Sequence, residues 1–234
     1  MKNTQDAFKQ SAWLPIFIWG GIWGIFEVTV GYLLHLLPFK VGWLVWYPVA
    51  SFFMLNVYRR TRKVSSILYI GFLSASIKLL NLFLPGRIDR VINPAVSIIL
   101  EALSMAAVIF AVHALKQRKH SVWVKAVAAL CMNTGWRLLY VFYVAFLVPG
   151  WMREISVIRS ADAFVTFFVV HNLFTSLVLF LGALIMKQLF APIGAVERKI
   201  TGQIAALPPK TAAFLKVASA AILIFGSISL ELIL

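Results

Sequence analysis

Two acidic and two basic side chains, Glu27, Lys78, Glu101 and Arg137, fall deep inside long apolar stretches of this 234-residue chain. Placing a charge inside a bilayer costs at least ~2.5 kcal/mol per residue on insertion scales, so such groups mark functional sites or pair with one another. As carboxylates and cations they could bind a polar ligand, move protons as acid and base, or fix helix register as buried ion pairs. The two signs occur in equal number. Lys78 with Glu101 is the pairing that a short connection favours, and Glu27 with Arg137 is the other match in depth.

Further polar residues recur with these four at helical spacing. One stripe holds Gly20, Gly24, Glu27, Gly31 and His35; a second holds Gly71, Ser74, Lys78 and Asn81. A third runs through Asn93, Ser97, Glu101 and Ser104, a fourth through Asn133, Arg137 and Tyr140. His171 and Asn172 stand beside Thr175 and Ser176 in the last. At a rise of about 1.5 Å per residue, Lys78 lies roughly 9 Å from the outer end of its segment, Glu101 and His171 roughly 12 to 14 Å, and Glu27 and Arg137 roughly 15 to 17 Å. Consecutive segments run in opposite directions, so this shared depth is not a by-product of sequence spacing. His35, Asn81, Asn93, Asn133, His171 and Asn172 exceed what two ion pairs need. The surplus points to an outward-facing pocket for a polar ligand, formed by spans one, three, four, five and six. Trp136, beside Arg137 and deeper than the interface, either stacks on a ring-shaped ligand or fills the core. Trp43 and Trp151 read as interfacial anchors.

The elements that must carry these residues follow from composition. Hydrophobic residues make up 62% of the chain and charged residues 13%, against about 25% charged in a soluble domain; mean hydropathy is +0.91. This predicts an all-α, polytopic membrane helix bundle in the cell membrane, one transmembrane domain over residues 1–234. Seven spans are expected at about 12–37, 41–58, 64–84, 93–115, 121–148, 162–189 and 210–232, a six-helix core plus a seventh span. The first is read as a retained helix, because it contains Glu27 and no small-residue cleavage site follows it.

Basic residues collect in alternate loops: Arg59, Arg60, Arg62 and Lys63; then Lys116, Arg118 and Lys119; then Lys187, Arg198, Lys199 and Lys210 against Glu197. The other loops hold Lys40 alone, Arg87 and Arg90 against Asp89, and Arg153 and Arg159 against Glu154 and Asp162. The positive-inside rule then sets the N-terminus in the cytoplasm and the C-terminus outside. The net charge of +14 is thus an orienting charge and predicts no nucleic-acid partner. Ile193, Val196, Ile200, Ile204 and Leu207, with Pro192 ahead of them, predict an amphipathic helix over 192–207 lying on the cytoplasmic surface. It serves either as a connector or as a docking surface. Gly20, Gly21 and Gly24 give a small-residue face for close packing, within the chain or on a partner subunit. The seventh span, rich in Ala, carries no mid-membrane charge and is expected to lie away from the pocket. Cys131, the lone cysteine, excludes an internal disulfide.

Enzyme signatures are absent. The chain has no His-Glu-x-x-His, Gly-x-Ser-x-Gly, Walker or dinucleotide-binding sequence. Phe167 and His171 give a Phe-x-x-x-His spacing seen in some intramembrane proteases, but those enzymes also need paired glutamates on another helix and the chain has no Glu-Glu. His35 and His171 could bind a metal with Glu27 or Glu101, but two isolated histidines are more often hydrogen-bonded core groups, and no metal is expected. No cofactor is expected.

With its small size, roughly six-helix core and small-residue first helix, the chain resembles the substrate-binding S components of energy-coupling factor transporters. Pro38-Phe39 leading into a second helix with Pro48, and the segment Val91-Ile92-Asn93-Pro94-Ala95-Val96-Ser97-Ile98, carry the likeness over residues 12–190. It departs from them at Leu100-Glu101-Ala102-Leu103, where the family commonly has Pro-Arg, and in its seventh span. The resemblance implies capture of a vitamin or other micronutrient from outside, with a separate membrane coupling subunit and two ATPases driving release. The alternatives are an intramembrane enzyme using Glu and His as acid and base, and a structural membrane protein whose charges only pair.

Overall fold

The computed structural model describes residues 13–35, 41–84, 88–115 and 121–233, with the side chains of residues 31, 32, 34 and 35 outside that description. Its elements are α1 (Trp13–His35), α2 (Gly42–Thr61), α3 (Ser65–Leu79) closing in a tighter 3₁₀ turn (Leu80–Phe83), α4 (Asp89–Ala114) and α5 (Val122–Phe146). After a short α6 (Gly150–Arg153), α7 (Ala161–Val165) continues through a π turn (Thr166–Val170) into α8 (His171–Ala205), and α9 (Pro209–Ile233) ends the chain. Among the described residues there is no strand, and the all-α expectation holds.

Six stretches are long and apolar enough to cross a membrane: Trp13–Val30, Ser65–Phe83, Asp89–Ala114, Val122–Phe146, Ala161–Ala205 and Pro209–Ile233. The remaining predicted span, α2, has 20 residues, enough for about 30 Å of helix. It is the more polar helix, with Asn56, Arg59 and Arg60 in its second half. Large apolar side chains, including Phe110, Val127, Phe142, Leu173, Val217 and Phe225, stand exposed around the bundle. A continuous apolar exterior is the opposite of a soluble surface and is what lipid requires. This is a multi-pass membrane protein.

Helices α1, α3, α4, α5 and α8 pack in that order, and α2 touches α8, α1, α3 and α4, closing the ring. Its Tyr47, Ala50, Phe53, Met54 and Val57 recur every three or four residues and are buried at the centre of the core. The turn from α2 to α3 is the basic loop at one end of the bundle. Arg62 there adopts a left-handed conformation (φ 57°) and returns its N–H to the Tyr58 carbonyl, ending α2.

Without a hydrophobic driving force between helices in lipid, close backbone approach decides which surfaces meet. The small face of α1 is used inside the chain. A Cβ at Gly21 would come within 2.8 Å of the Leu223 backbone, and one at Gly24 would collide with Ser227 Oγ, both on α9. The seventh span therefore packs along α1.

Two expectations change. The segment 192–207 does not form a helix of its own; α8 runs unbroken through Pro192 for 35 residues, about 52 Å. One proline removes one backbone hydrogen bond, and in a long helix packed on its neighbours that loss is absorbed. The apolar positions Ile193, Val196, Ile200 and Ile204 face Leu14 and Ile18 of α1 across a groove of about 540 Å³. Arg60 fixes the arrangement by donating to both carboxylate oxygens of Glu197, with its guanidinium 4.8 Å from the Trp19 ring. The second change concerns charge: α9 carries Glu231, 4% exposed, in contact with the bundle interior.

Candidate functional site

A cavity of about 290 Å³ lies in the half of the bundle away from the basic α2–α3 loop. That volume is at the small end of sites for low-molecular-weight ligands. Helix spacing aims its walls. On α1, Trp23 and Glu27 are four residues apart and share a face. On α2, Trp43, Trp46, Tyr47 and Ala50 line it at the same periodicity, and on α4 Asn93, Ser97 and Glu101 do so. Trp136, Arg137 and Tyr140 of α5 and Phe167 of the π turn complete it. The walls thus come from spans one, two, four, five and six. Span two replaces the expected span three.

Of the polar residues expected at a site, Glu27, Asn93, Glu101, Trp136 and Arg137 face this cavity. Glu101 is 6% exposed. Among the described residues, no side chain forms an ion pair or hydrogen bond with the carboxylate of Glu27 or of Glu101. Neither of the two expected pairs is present.

Arg137 is committed elsewhere. Its Nη1 donates to the Phe167 carbonyl at 2.8 Å and its Nη2 to Thr175 Oγ1 at 3.4 Å. The guanidinium sits 4.7 Å from the Trp136 ring centroid and 4.5 Å from that of Phe167, so two aromatic faces also share its charge. The π turn presents the Phe167 carbonyl at this point, a common placement for such irregularities. Lys78 is committed too. Its Nζ donates to Glu231 Oε1 at 2.7 Å, and Asn81 Nδ2 donates to the same oxygen. Lys78 and Asn81 thus belong to a lock between α3 and α9, outside the cavity.

Asn133, Asn172 and His171 support the walls from behind. Asn133 Nδ2 donates to Asn172 Oδ1 and to the Asn172 carbonyl, both at 2.8 Å, and Asn133 Oδ1 accepts from Trp136 Nε1 at 2.7 Å. Asn172 Nδ2 donates to Thr134 Oγ1 at 2.9 Å. This network leaves the indole of Trp136 one orientation, and it accounts for much of the polar surplus read from the sequence. His171 stacks on Trp43, with ring centroids 3.9 Å apart and planes 9° from parallel. Thr175 Oγ1 donates to the Trp43 carbonyl at 3.1 Å. Trp43 is therefore a wall of the cavity held by α8, while Trp151 is exposed as an interfacial anchor would be. Tyr143 Oη donates to Asn93 Oδ1 at 3.2 Å. The side chain of His35 lies outside the described residues, as do Lys40, the Pro38-Phe39 pair, Arg87, Lys116, Arg118 and Lys119.

The sequence reading does not include Trp23 and Phe167 among the lining residues. Trp23 was open to detection, being one turn before Glu27 on the same face. Glu231 stands in the seventh span without a polar stripe around it that would mark it.

No family model, no curated protein and no solved structure matches this chain.

Proposed function

We propose that this chain is an integral membrane substrate-binding or transport subunit, capturing a small polar or heterocyclic micronutrient from the outer face of the cell membrane. A separate energising partner drives release, as in the S components of energy-coupling factor transporters that the chain resembles. One observation carries the reading: Glu101 is buried, its carboxylate has no ion-pair or hydrogen-bond partner among the described residues, and it faces a cavity walled by tryptophans. A buried carboxylate that served only to fix helix register would be paired, as Lys78 and Glu231 are. The loop charges set this cavity toward the outside.

The experiment is isolation of the protein from its native membrane in mild detergent, followed by denaturation and mass spectrometry of the released small molecules. A stoichiometric compound in the wild-type sample that is lost in Glu101→Gln and Trp136→Ala supports the reading. Wild-type protein that carries nothing, and whose melting temperature does not respond to a panel of vitamins and heterocycles, overturns it. Retention of full function by a Glu27→Gln, Glu101→Gln double variant overturns it as well and favours the structural alternative.

A further inference from the structure

The charges around the cavity specify more than the presence of a ligand. Two carboxylates, Glu27 and Glu101, face it against a single cation, Arg137. That guanidinium is already held by the Phe167 carbonyl, Thr175 and two ring faces. Lys78, the other cation of the apolar spans, donates to Glu231 outside the wall, where Asn81 donates to the same oxygen. Among the described lining residues, with both carboxylates ionised, one negative charge is in excess, in a site walled by aromatic rings. Leaving it uncompensated there costs several kcal/mol.

We infer that the ligand is a flat organic cation of one or two rings, a quaternary or protonated nitrogen heterocycle, whose charge meets Glu27 and Glu101 while its face lies against the indoles. The walls fit that chemistry. Trp23, Trp43, Trp46 and Trp136 present π surfaces, which attract cations by their quadrupole and stack on planar rings. Trp136 and Trp43 are fixed in orientation by Asn133 and His171, so the ligand need not order them on arrival. A neutral ring would leave the excess charge buried, and an anion would face both carboxylates.

The inference rests on the cavity being a ligand site, and the test separates the two. Full-length protein in detergent is titrated calorimetrically with three compounds sharing one ring system: 1-methylquinolinium, quinoline and quinoline-2-carboxylate. At neutral pH these are cationic, neutral and anionic. The expected result is binding of the cation about tenfold or more tighter than quinoline, with the carboxylate weakest. Glu101→Gln is expected to erase the preference for the cation while leaving quinoline binding in place. Equal or tighter binding of quinoline or its carboxylate, sensitive to Trp136→Ala, overturns the cationic assignment and leaves the site standing. Failure of all three to bind saturably overturns both. The rank order in the unaltered protein decides the question even if a variant fails to fold.

Discussion

Lys78 Nζ and Glu231 Oε1 meet at 2.7 Å although 153 residues separate them in sequence. The contact joins α3 to the last turn of α9, and Asn81 adds a second donor to the same oxygen. Because it removes Lys78 from the interior, it also sets the charge balance of the cavity beside it.

Glu231→Gln is therefore expected to lower stability by roughly 1 to 3 kcal/mol, since it leaves the Lys78 ammonium facing an amide in a largely buried place. Replacing both partners, Lys78→Met with Glu231→Leu, is expected to cost less than the two single losses added together, because no charge is left behind and only the Asn81 donor loses its acceptor. Thermal or denaturant unfolding in detergent reads both. Strictly additive losses in the double variant would show that the two groups do not act as a pair.

The packing of α9 on α1 depends on missing side chains. Gly21→Ala brings a Cβ within 2.8 Å of the Leu223 backbone, which cannot swing away as a side-chain tip would. A loss of about 1 to 3 kcal/mol is expected despite the gain in helix propensity. At Gly182 an added Cβ meets nothing within 4 Å, so Gly182→Ala is expected to be neutral or slightly stabilising. Comparing the two melting temperatures isolates the contact from the propensity. Equal effects at both positions would refute the close approach.

Local spacing made much of the cavity readable. Glu27, Glu101 and Arg137 were matched in depth, and residues three or four apart share a helix face wherever the helix packs. Which faces meet is not a local property. Lys78 shares the depth layer, but the azimuth of α3 turns it toward α9, and that depends on how closely α1 and α9 approach at Gly21 and Gly24. The polar surplus on α5 and α8 was visible as well, yet Asn133 and Asn172 spend it on each other and on Trp136. Sequence alone does not distinguish a donor that faces a ligand from one that orients a wall. Tryptophans near a predicted interface, such as Trp43, carry the same ambiguity, because anchoring and cavity lining call for the same residue at the same depth.

Asn133 offers a test of that supporting role. It touches no cavity space and is 0% exposed, yet it holds Trp136 through the indole N–H. Asn133→Ala leaves that N–H without its acceptor and removes one donor from Asn172, at a cost of about 1 to 3 kcal/mol in stability. With the indole released, binding of a cavity ligand is expected to weaken several-fold, mainly through faster dissociation, as for other pre-organised contacts. Stopped-flow tryptophan fluorescence measures the rate. An unchanged dissociation rate in a folded variant would limit Asn133 to holding α5 against α8.

The unbroken course of α8 is open to a distance measurement. Ile185 and Gln203 are both exposed and lie on either side of Pro192. With Cys131 replaced by Ala, spin labels at these two positions of a continuous helix stand about 27 Å apart along its axis. A break at Pro192 that laid the following segment on the membrane surface would fold the path and shorten that distance by several ångströms. The bidentate contact of Arg60 with Glu197 is what would hold the straight form near α1. Glu197 is half exposed, so Glu197→Ala is expected to cost under about 1 kcal/mol of overall stability. It should nevertheless broaden the distance distribution measured from Gln203 to a label near the start of α1. A single narrow distribution retained in Glu197→Ala would mean that the extension is held in place without the ion pair.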